Sequence, residues 1–192
     1  MIYFDNAATT KPDKAVTAAV CKCMENTFGN PSSLHKLGIE AQLVMDNARK
    51  NVASALNVPP ETVYFTSGAT ESSNLAIRGA AGAYGKRKKR VITTTVEHSS
   101  VKEAFNRLGD EGYEVIRISP GKDGKFSVKD FTDAVNDDTC LISVMLVNNE
   151  TGELLPVKNI FAEAKRKNKD IITHCDAVQA FMKIPVKPVV IQ

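Results

Sequence analysis

The stretch "TVYFTSGATESSNLAIRG", Thr62 to Gly79, sets a short β-branched and aromatic run against Thr-Ser-Gly-Ala-Thr-Glu and then an amphipathic segment. This pattern predicts a strand, a small-residue turn and a helix. A helix that starts at such a turn directs backbone N–H groups outward without intrahelical partners, and Thr66, Ser67 and Thr70 add hydroxyls beside them. Two readings of the turn stand together: an anion held at the helix N-terminus, or a helix capped by its own side chains.

The same rhythm continues outward. "RVITTTV" (Arg90 to Val96) precedes a helix from about Ser99, and "YEVIRIS" (Tyr113 to Ser119) precedes one from about Val128. "CLISVMLV" (Cys140 to Val147) precedes a helix over Val157 to Lys167, and "IITHC" (Ile171 to Cys175) follows. Strands alternating with helices predict a mainly parallel sheet covered on both faces, a three-layer α/β/α architecture. Before Thr62 the pattern is helical. Ala15, Val16, Ala19, Val20, Cys23 and Met24 recur behind Pro12 and Asp13, which suit a helix start. A second helix is predicted over Ile39 to Leu56, with Ile39, Leu43, Ala48, Val52, Ala55 and Leu56 near one face.

Composition narrows the function. The 192 residues are 43% hydrophobic, enough for one substantial domain or a domain with a small appendage. The longest apolar runs are too short to span a bilayer, and "MIYFDNAATT" has neither a basic flank nor an apolar signal core. A soluble, cytoplasmic protein with no membrane role is expected. Four cysteines without regular spacing predict reduced thiols and no metal site. The net charge of +3 gives no argument for nucleic acid, and the basic run "GKRKKR" (Gly85 to Arg90) reads as a solvated connection without interleaved aromatics.

Open α/β sheets bind ligands beyond the carboxyl ends of their strands. The predicted exits read "TSGATES", "EHSS" (Glu97 to Ser100), "NNETG" (Asn148 to Gly152) and "HCDAVQ" (His174 to Gln179). Hydroxyls and N–H groups, an imidazole, amides and a carboxylate on one edge suit a flat charged heteroaromatic cofactor with a phosphate tail. Each also has a local reading. His98 could simply begin a helix, Asn148 and Asn149 could shape a turn before Gly152, and Asp176 could cap a following helix. No GxGxxG follows a strand and no GK[ST] is present, which speaks against dinucleotide and P-loop folds.

Taken together, "YFDNAATT" (Tyr3 to Thr10), "FGNPSSLHKLG" (Phe28 to Gly38), "FTSGATESSNLAI" (Phe65 to Ile77), "EHSSV" (Glu97 to Val101), "VNNETG" (Val147 to Gly152) and "HCDAVQA" (His174 to Ala180) resemble the cysteine desulfurase family. Those enzymes depend on pyridoxal 5'-phosphate (PLP), belong to the class V aminotransferase group and have the aspartate aminotransferase-like, type I fold. The resemblance implies that Ala69 and Thr70 contact the cofactor phosphate and that His98 stacks on the pyridine ring and helps move protons. It implies further that Asn149 and Gln179 hydrogen-bond near the ring's phenolic oxygen, and that Asp176 pairs with the protonated ring nitrogen. "DNAATT" and "GNPSSLH" would form part of the substrate-facing wall. The family reaction takes L-cysteine to L-alanine, leaving sulfur as a persulfide on an enzyme cysteine. That sulfur then passes to an acceptor or scaffold protein for iron-sulfur cluster or thiolated-cofactor assembly. A homodimer is implied.

The family's Schiff-base lysine lies in a Ser-x-His-Lys segment beyond the region matching "DAVQAFMKIPV", and no such segment occurs before Gln192. The sulfur-accepting cysteine and the substrate-carboxylate arginine come later still. Residues 1–192 are therefore expected to be the N-terminal segment plus most of the PLP-binding large domain, inactive alone, with Lys183 and Lys187 no substitute for the missing lysine. Two other readings remain: another class V enzyme, such as a selenocysteine lyase or small aminotransferase, and a non-catalytic ligand-binding or interaction module.

Overall fold

In a computed structural model, residues 2–84, 87–186 and 188 are described. The chain divides into two units, one formed by the described residues of Met1–Phe65 and Pro185–Gln192, the other by Thr66–Ile184. Lys187 lies outside the described residues, as do Gly85 and Lys86 of the basic run.

The larger unit is the predicted sandwich. Its strands are β1 (Arg90–Thr94), β2 (Glu114–Ile118), β3 (Thr139–Ser143) and β4 (Ile172–His174), ordered β2-β1-β3-β4 and all parallel. Successive side chains of a strand face opposite sides, so each central strand feeds two cores. Val91 and Leu141 pack with Ile77 and Ala81 of α3 (Ala69–Tyr84) and Val101, Ala104, Phe105 and Leu108 of α4 (Ser99–Asp110). Ile92 and Ile142 pack on the other face with Phe131 of α5 (Val128–Ala134) and Ile160 and Ala164 of α6 (Val157–Lys167). The central strands β1 and β3 are buried almost throughout, whereas β2 is half exposed, as an edge strand should be. Arg90 forks onto the Glu114 carboxylate across the β1–β2 pair, Nε to Oε2 at 2.8 Å and Nη2 to Oε1 at 2.8 Å.

The direction of α3 matters for function. Near its C-terminus the Tyr84 hydroxyl donates to the Asp170 carbonyl, just before β4, and the Ala81 carbonyl accepts from the Tyr113 hydroxyl at 3.1 Å, just before β2. Those contacts fix the end of α3 at the amino edge of the sheet. Sixteen residues rise about 24 Å at 1.5 Å each, which carries Ala69 and Thr70 to the opposite, carboxyl edge.

The smaller unit is helical: α1 (Lys14–Asn26) and α2 (Lys36–Leu56). Asp13 caps α1, its Oδ1 accepting from the Ala15 N–H at 2.8 Å. His35 caps α2, which starts three residues before the predicted Ile39, with Nδ1 accepting from the Gly38 N–H at 3.3 Å. Gly38 is required there by crowding: an added Cβ would lie 2.2 Å from the Ser33 carbonyl oxygen.

Three expectations are corrected. "TVYFT" forms no strand: Pro60–Thr62 make a 3-10 turn and residues 63–66 lack a ladder partner among the described residues. A strand needs a neighbour to take its N–H and C=O groups, and local propensity cannot supply one. The predicted apolar face of α2 is not covered, with Ile39 51% and Leu43 57% exposed, and burial falls instead on Gly38, Ala41 and Ala53. β3 stops at Ser143 and β4 at His174, so Met145 to Val147 and Cys175 belong to strand exits rather than strands.

Candidate functional site

Because the strands are parallel, the exits of β1, β3 and β4 share one edge, and their hydrogen bonds join them side by side. The Met145 N–H donates to Glu97 Oε1 at 2.9 Å and Asn148 Nδ2 donates to the Val96 carbonyl at 3.1 Å, tying the β1 exit to the β3 exit. The Val144 N–H donates to the His174 carbonyl at 3.1 Å and the Leu146 N–H to the Asp176 carbonyl at 2.9 Å, tying β3 to β4. Ser143 Oγ and His174 Nδ1 add a bond of 2.8 Å between the same two strands. Burial pushes the His174 imidazole below its usual value, which keeps it neutral in this joint.

The two asparagines of "NNETG" have different work. Asn148 is buried and shapes the loop: its Oδ1 accepts from the N–H groups of Glu150 (3.0 Å) and Thr151 (2.9 Å) and from Thr151 Oγ1 (3.1 Å). Gly152 closes that loop at φ +73°, a conformation suited to glycine. Asn149 is half-buried, and its amide meets no partner among the described residues. The turn reading therefore holds for Asn148 and leaves Asn149 available.

Asp176 is 8% exposed. Its Oδ1 accepts from the Val178 N–H at 3.0 Å, while Oδ2 has no partner among the described residues. The capping reading is half right. The carboxylate caps a turn over residues 178–183, and no helix follows among the described residues. Gln179 sits on that turn and its Oε1 accepts from Lys183 Nζ at 3.3 Å. Lys183 is thereby occupied at the turn.

His98 is the N-cap of α4. Its Nδ1 accepts from the Ser100 N–H at 3.2 Å and lies 2.9 Å from Ser100 Oγ. An Nδ1 that accepts leaves the proton of the neutral ring on Nε2, and His98 as a whole is exposed. Capping and proton handling are thus compatible.

At the N-terminus of α3, Ala69 is half-buried and Thr70 exposed, and their N–H groups meet no acceptor among the described residues. Glu71 curls back on the loop, its Oε2 accepting from the Ser67 N–H (2.6 Å) and Oγ (2.7 Å), which lowers its pKa. The self-capped reading thus holds for the donors of Ser67, while the N–H groups of Ala69 and Thr70 stay available to an anion.

Sequence reasoning passed over Glu97 and Glu71. Glu97 is 8% exposed, accepts at Oε1 from Thr94 Oγ1 (2.9 Å) and the Met145 N–H, and has a buried Oε2 with no partner among the described residues. Burial foremost, with the charge of Asp176 adding to it, lifts its carboxyl to about 7 against the pull of those two bonds. The thiols of Cys175 and Cys140 are poor nucleophiles here. Burial, then Asp176 and Glu97, pushes Cys175 up to about 12, and burial raises Cys140 as well. No group of three or more His, Cys, Asp or Glu able to hold a metal occurs among the described residues, and no described helix is long and apolar enough to cross a membrane.

A parallel sheet covered by helices on both faces, as here, is the fold of the type I PLP-dependent transferases. The chain matches the Aminotransferase class-V family over residues 2–190 and belongs to it. It is 44% identical over 186 residues to the mitochondrial cysteine desulfurase of Saccharomyces cerevisiae, covering 96% of this chain and 37% of that protein. It is 42% identical over 188 residues to the cysteine desulfurase IscS of Photobacterium profundum, covering 96% of this chain and 46% of that one. Among solved structures, a NifS-like protein superposes with a TM-score of 0.94 at 40% identity, covering 97% of this chain and 51% of the other. SspA in complex with cysteine superposes with a TM-score of 0.92 at 34% identity, covering 97% and 53%. The chain thus spans about half the length of these relatives or less.

Proposed function

We propose that the chain is the amino-terminal, cofactor-binding part of a PLP-dependent cysteine desulfurase that converts L-cysteine to L-alanine. The observation that carries this reading is Asp176: a buried carboxylate with one oxygen fixed and the other open, on the strand exit joined to the one bearing Asn149. When bound, PLP supplies an electron sink for negative charge developing at the substrate α-carbon. Asp176 would hold the ring nitrogen in its protonated form by attraction of opposite charges. The N–H groups of Ala69 and Thr70 and the Thr70 hydroxyl would hold the phosphate at the positive end of α3. Asn149 and Gln179 would orient the ring through its phenolic oxygen, and His98 would cover one ring face and carry a proton on Nε2.

The lysine that carries the cofactor, the cysteine that receives sulfur and the small domain belong, in this reading, to a segment beyond residues 1–192. Cys175 and Cys140 do not fill the sulfur-accepting role, since thiols raised by burial hold little thiolate at neutral pH. A sulfur acceptor or iron-sulfur scaffold protein, a homodimeric assembly and a cytoplasmic location belong to the same proposal.

PLP fluorescence titration tests it. The chain binds PLP saturably, and pyridoxal without the phosphate binds at least tenfold more weakly. With L-cysteine and a reductant, the PLP-loaded chain releases alanine and sulfide no faster than free PLP. Equal affinity for PLP and pyridoxal would remove the role of α3, and turnover above the free-cofactor rate would place the missing lysine within residues 1–192.

A further inference from the structure

Glu97 is the one buried acid of the carboxyl edge to which the proposed function gives no role. It bridges two strand exits: Oε1 takes the Thr94 hydroxyl on the β1 side and the Met145 N–H on the β3 side, each at 2.9 Å. The next residue of the β3 exit, Leu146, donates its N–H to the Asp176 carbonyl. The route from Glu97 to the Asp176 backbone is therefore two hydrogen bonds and one peptide unit long. Among the described residues nothing donates to Oε2, which is enclosed.

An ionised carboxylate with one oxygen enclosed and unpartnered is costly, and more so beside a second acid. The ionisable neighbours at the β4 exit are Asp176 and Cys175, each of which acts on Glu97 or is acted on by it. His174 precedes them and His98 follows Glu97 along the chain. The β3 exit, Val144 to Asn148, contributes no ionisable side chain. Among the described residues no cationic side chain bonds Glu97 to offset a second negative charge.

We propose that Glu97 is a neutral carboxylic acid that positions Asp176, locking the β3 exit from which the Asp176 backbone hangs while leaving the negative charge of the edge to Asp176. It is a positioning residue, and its cofactor consequence rests on the PLP reading above. The lock itself does not. A protonated acid keeps its carbonyl oxygen for Met145 and Thr94 while avoiding the penalty of a second buried charge. The arrangement also predicts what replaces it: glutamine, which offers the same carbonyl without a charge, should serve, and alanine should not.

Three readouts on the 192-residue chain and its Glu97→Gln and Glu97→Ala variants separate the lock from the cofactor. A carboxylic-acid C=O infrared band should be present at mildly acidic pH, be half lost at about 7, and be missing from Glu97→Gln. Amide hydrogen exchange at Met145 and Leu146 should accelerate at least tenfold in Glu97→Ala and stay within about twofold of the parent in Glu97→Gln. PLP affinity should follow the same order, with alanine losing about tenfold and glutamine retained. A band that survives Glu97→Gln, or that titrates in the ordinary glutamate range, overturns the neutral acid. Equal exchange in the alanine and glutamine variants overturns the lock. If the parent chain binds no PLP, the cofactor reading fails, while band and exchange still decide Glu97. Should Glu97→Ala not fold, as judged by circular dichroism, the band and the exchange of Glu97→Gln against the parent decide it.

Discussion

The two units of this chain use apolar residues differently. In residues 66–184 a set of large apolar side chains is enclosed, with Phe105, Phe131, Ile77, Ile92 and Ile160 fully buried between sheet and helices, while Leu75, Leu154, Val178 and Met182 lie exposed. In residues 1–65, α1 has no buried residue, and Val16, Val20 and Met24 are each more than half exposed. The first unit carries its own hydrophobic stabilisation. The helical unit encloses few apolar side chains, and its apolar stripe has the character of a surface made to be covered. An amphipathic pattern states which face avoids water, whereas the element that covers it must come from elsewhere in the structure.

The largest effect should separate the two units. Phe131→Ala removes a ring from a fully enclosed site and should destabilise the chain by about 3 to 5 kcal/mol. Val20→Ala, 53% exposed on α1, should change stability by less than about 0.5 kcal/mol. Urea unfolding of both variants checks this, and similar losses would mean that α1 is covered in solution, most simply by a second copy. Light scattering then decides whether the apolar stripe draws two chains together.

A pH effect of about 3 kcal/mol follows from Glu97. Its folded pKa of about 7 lies above the usual 4.5, so the folded chain keeps a proton that the unfolded chain releases between those values. The contribution is fully present below about pH 4.5, declines as pH rises, and is lost above about 7. Glu97→Gln should flatten the stability profile over that window. Unfolding curves of parent and variant at a series of pH values measure the difference, and parallel profiles would remove Glu97 as the source.

Smaller effects should mark the helical unit. Gly38→Ala drives a Cβ into the Ser33 carbonyl and should cost about 1 to 3 kcal/mol through displacement of the loop. Asp13→Ala removes the cap of α1 and should cost about 1 kcal/mol. Helix content by circular dichroism should fall in the Asp13 variant with little change in the sandwich. Loss of the whole fold would show that the units are more strongly coupled than their cores imply.

What the sequence disclosed follows the same division. The four strands and the starts of α3 to α6 were legible because β-rich runs, breakers and helical periodicity are local signals. "TVYFT" was not, because an extended run becomes a strand only when a neighbour completes its ladder. Asp176, Asn149 and His98 could be placed by reading strand exits, since a parallel sheet brings successive exits to one edge. Glu97 escaped notice because its burial depends on the β1 and β3 exits meeting, a non-local fact that "EHSS" does not contain. The only local hint is Thr94 three residues before Glu97, which places a hydroxyl within reach of the carboxylate.

The account stands most directly on Asp176 as the fixed partner of a cationic ring. Fluorescence titration of PLP into Asp176→Ala and into Asp46→Ala, on α2 of the other unit, compares the two regions in one experiment. Loss of about tenfold or more in affinity for Asp176→Ala, with Asp46→Ala unchanged, is the predicted result. Equal affinities in two folded variants would contradict it and remove the carboxyl edge of the sheet as the cofactor site.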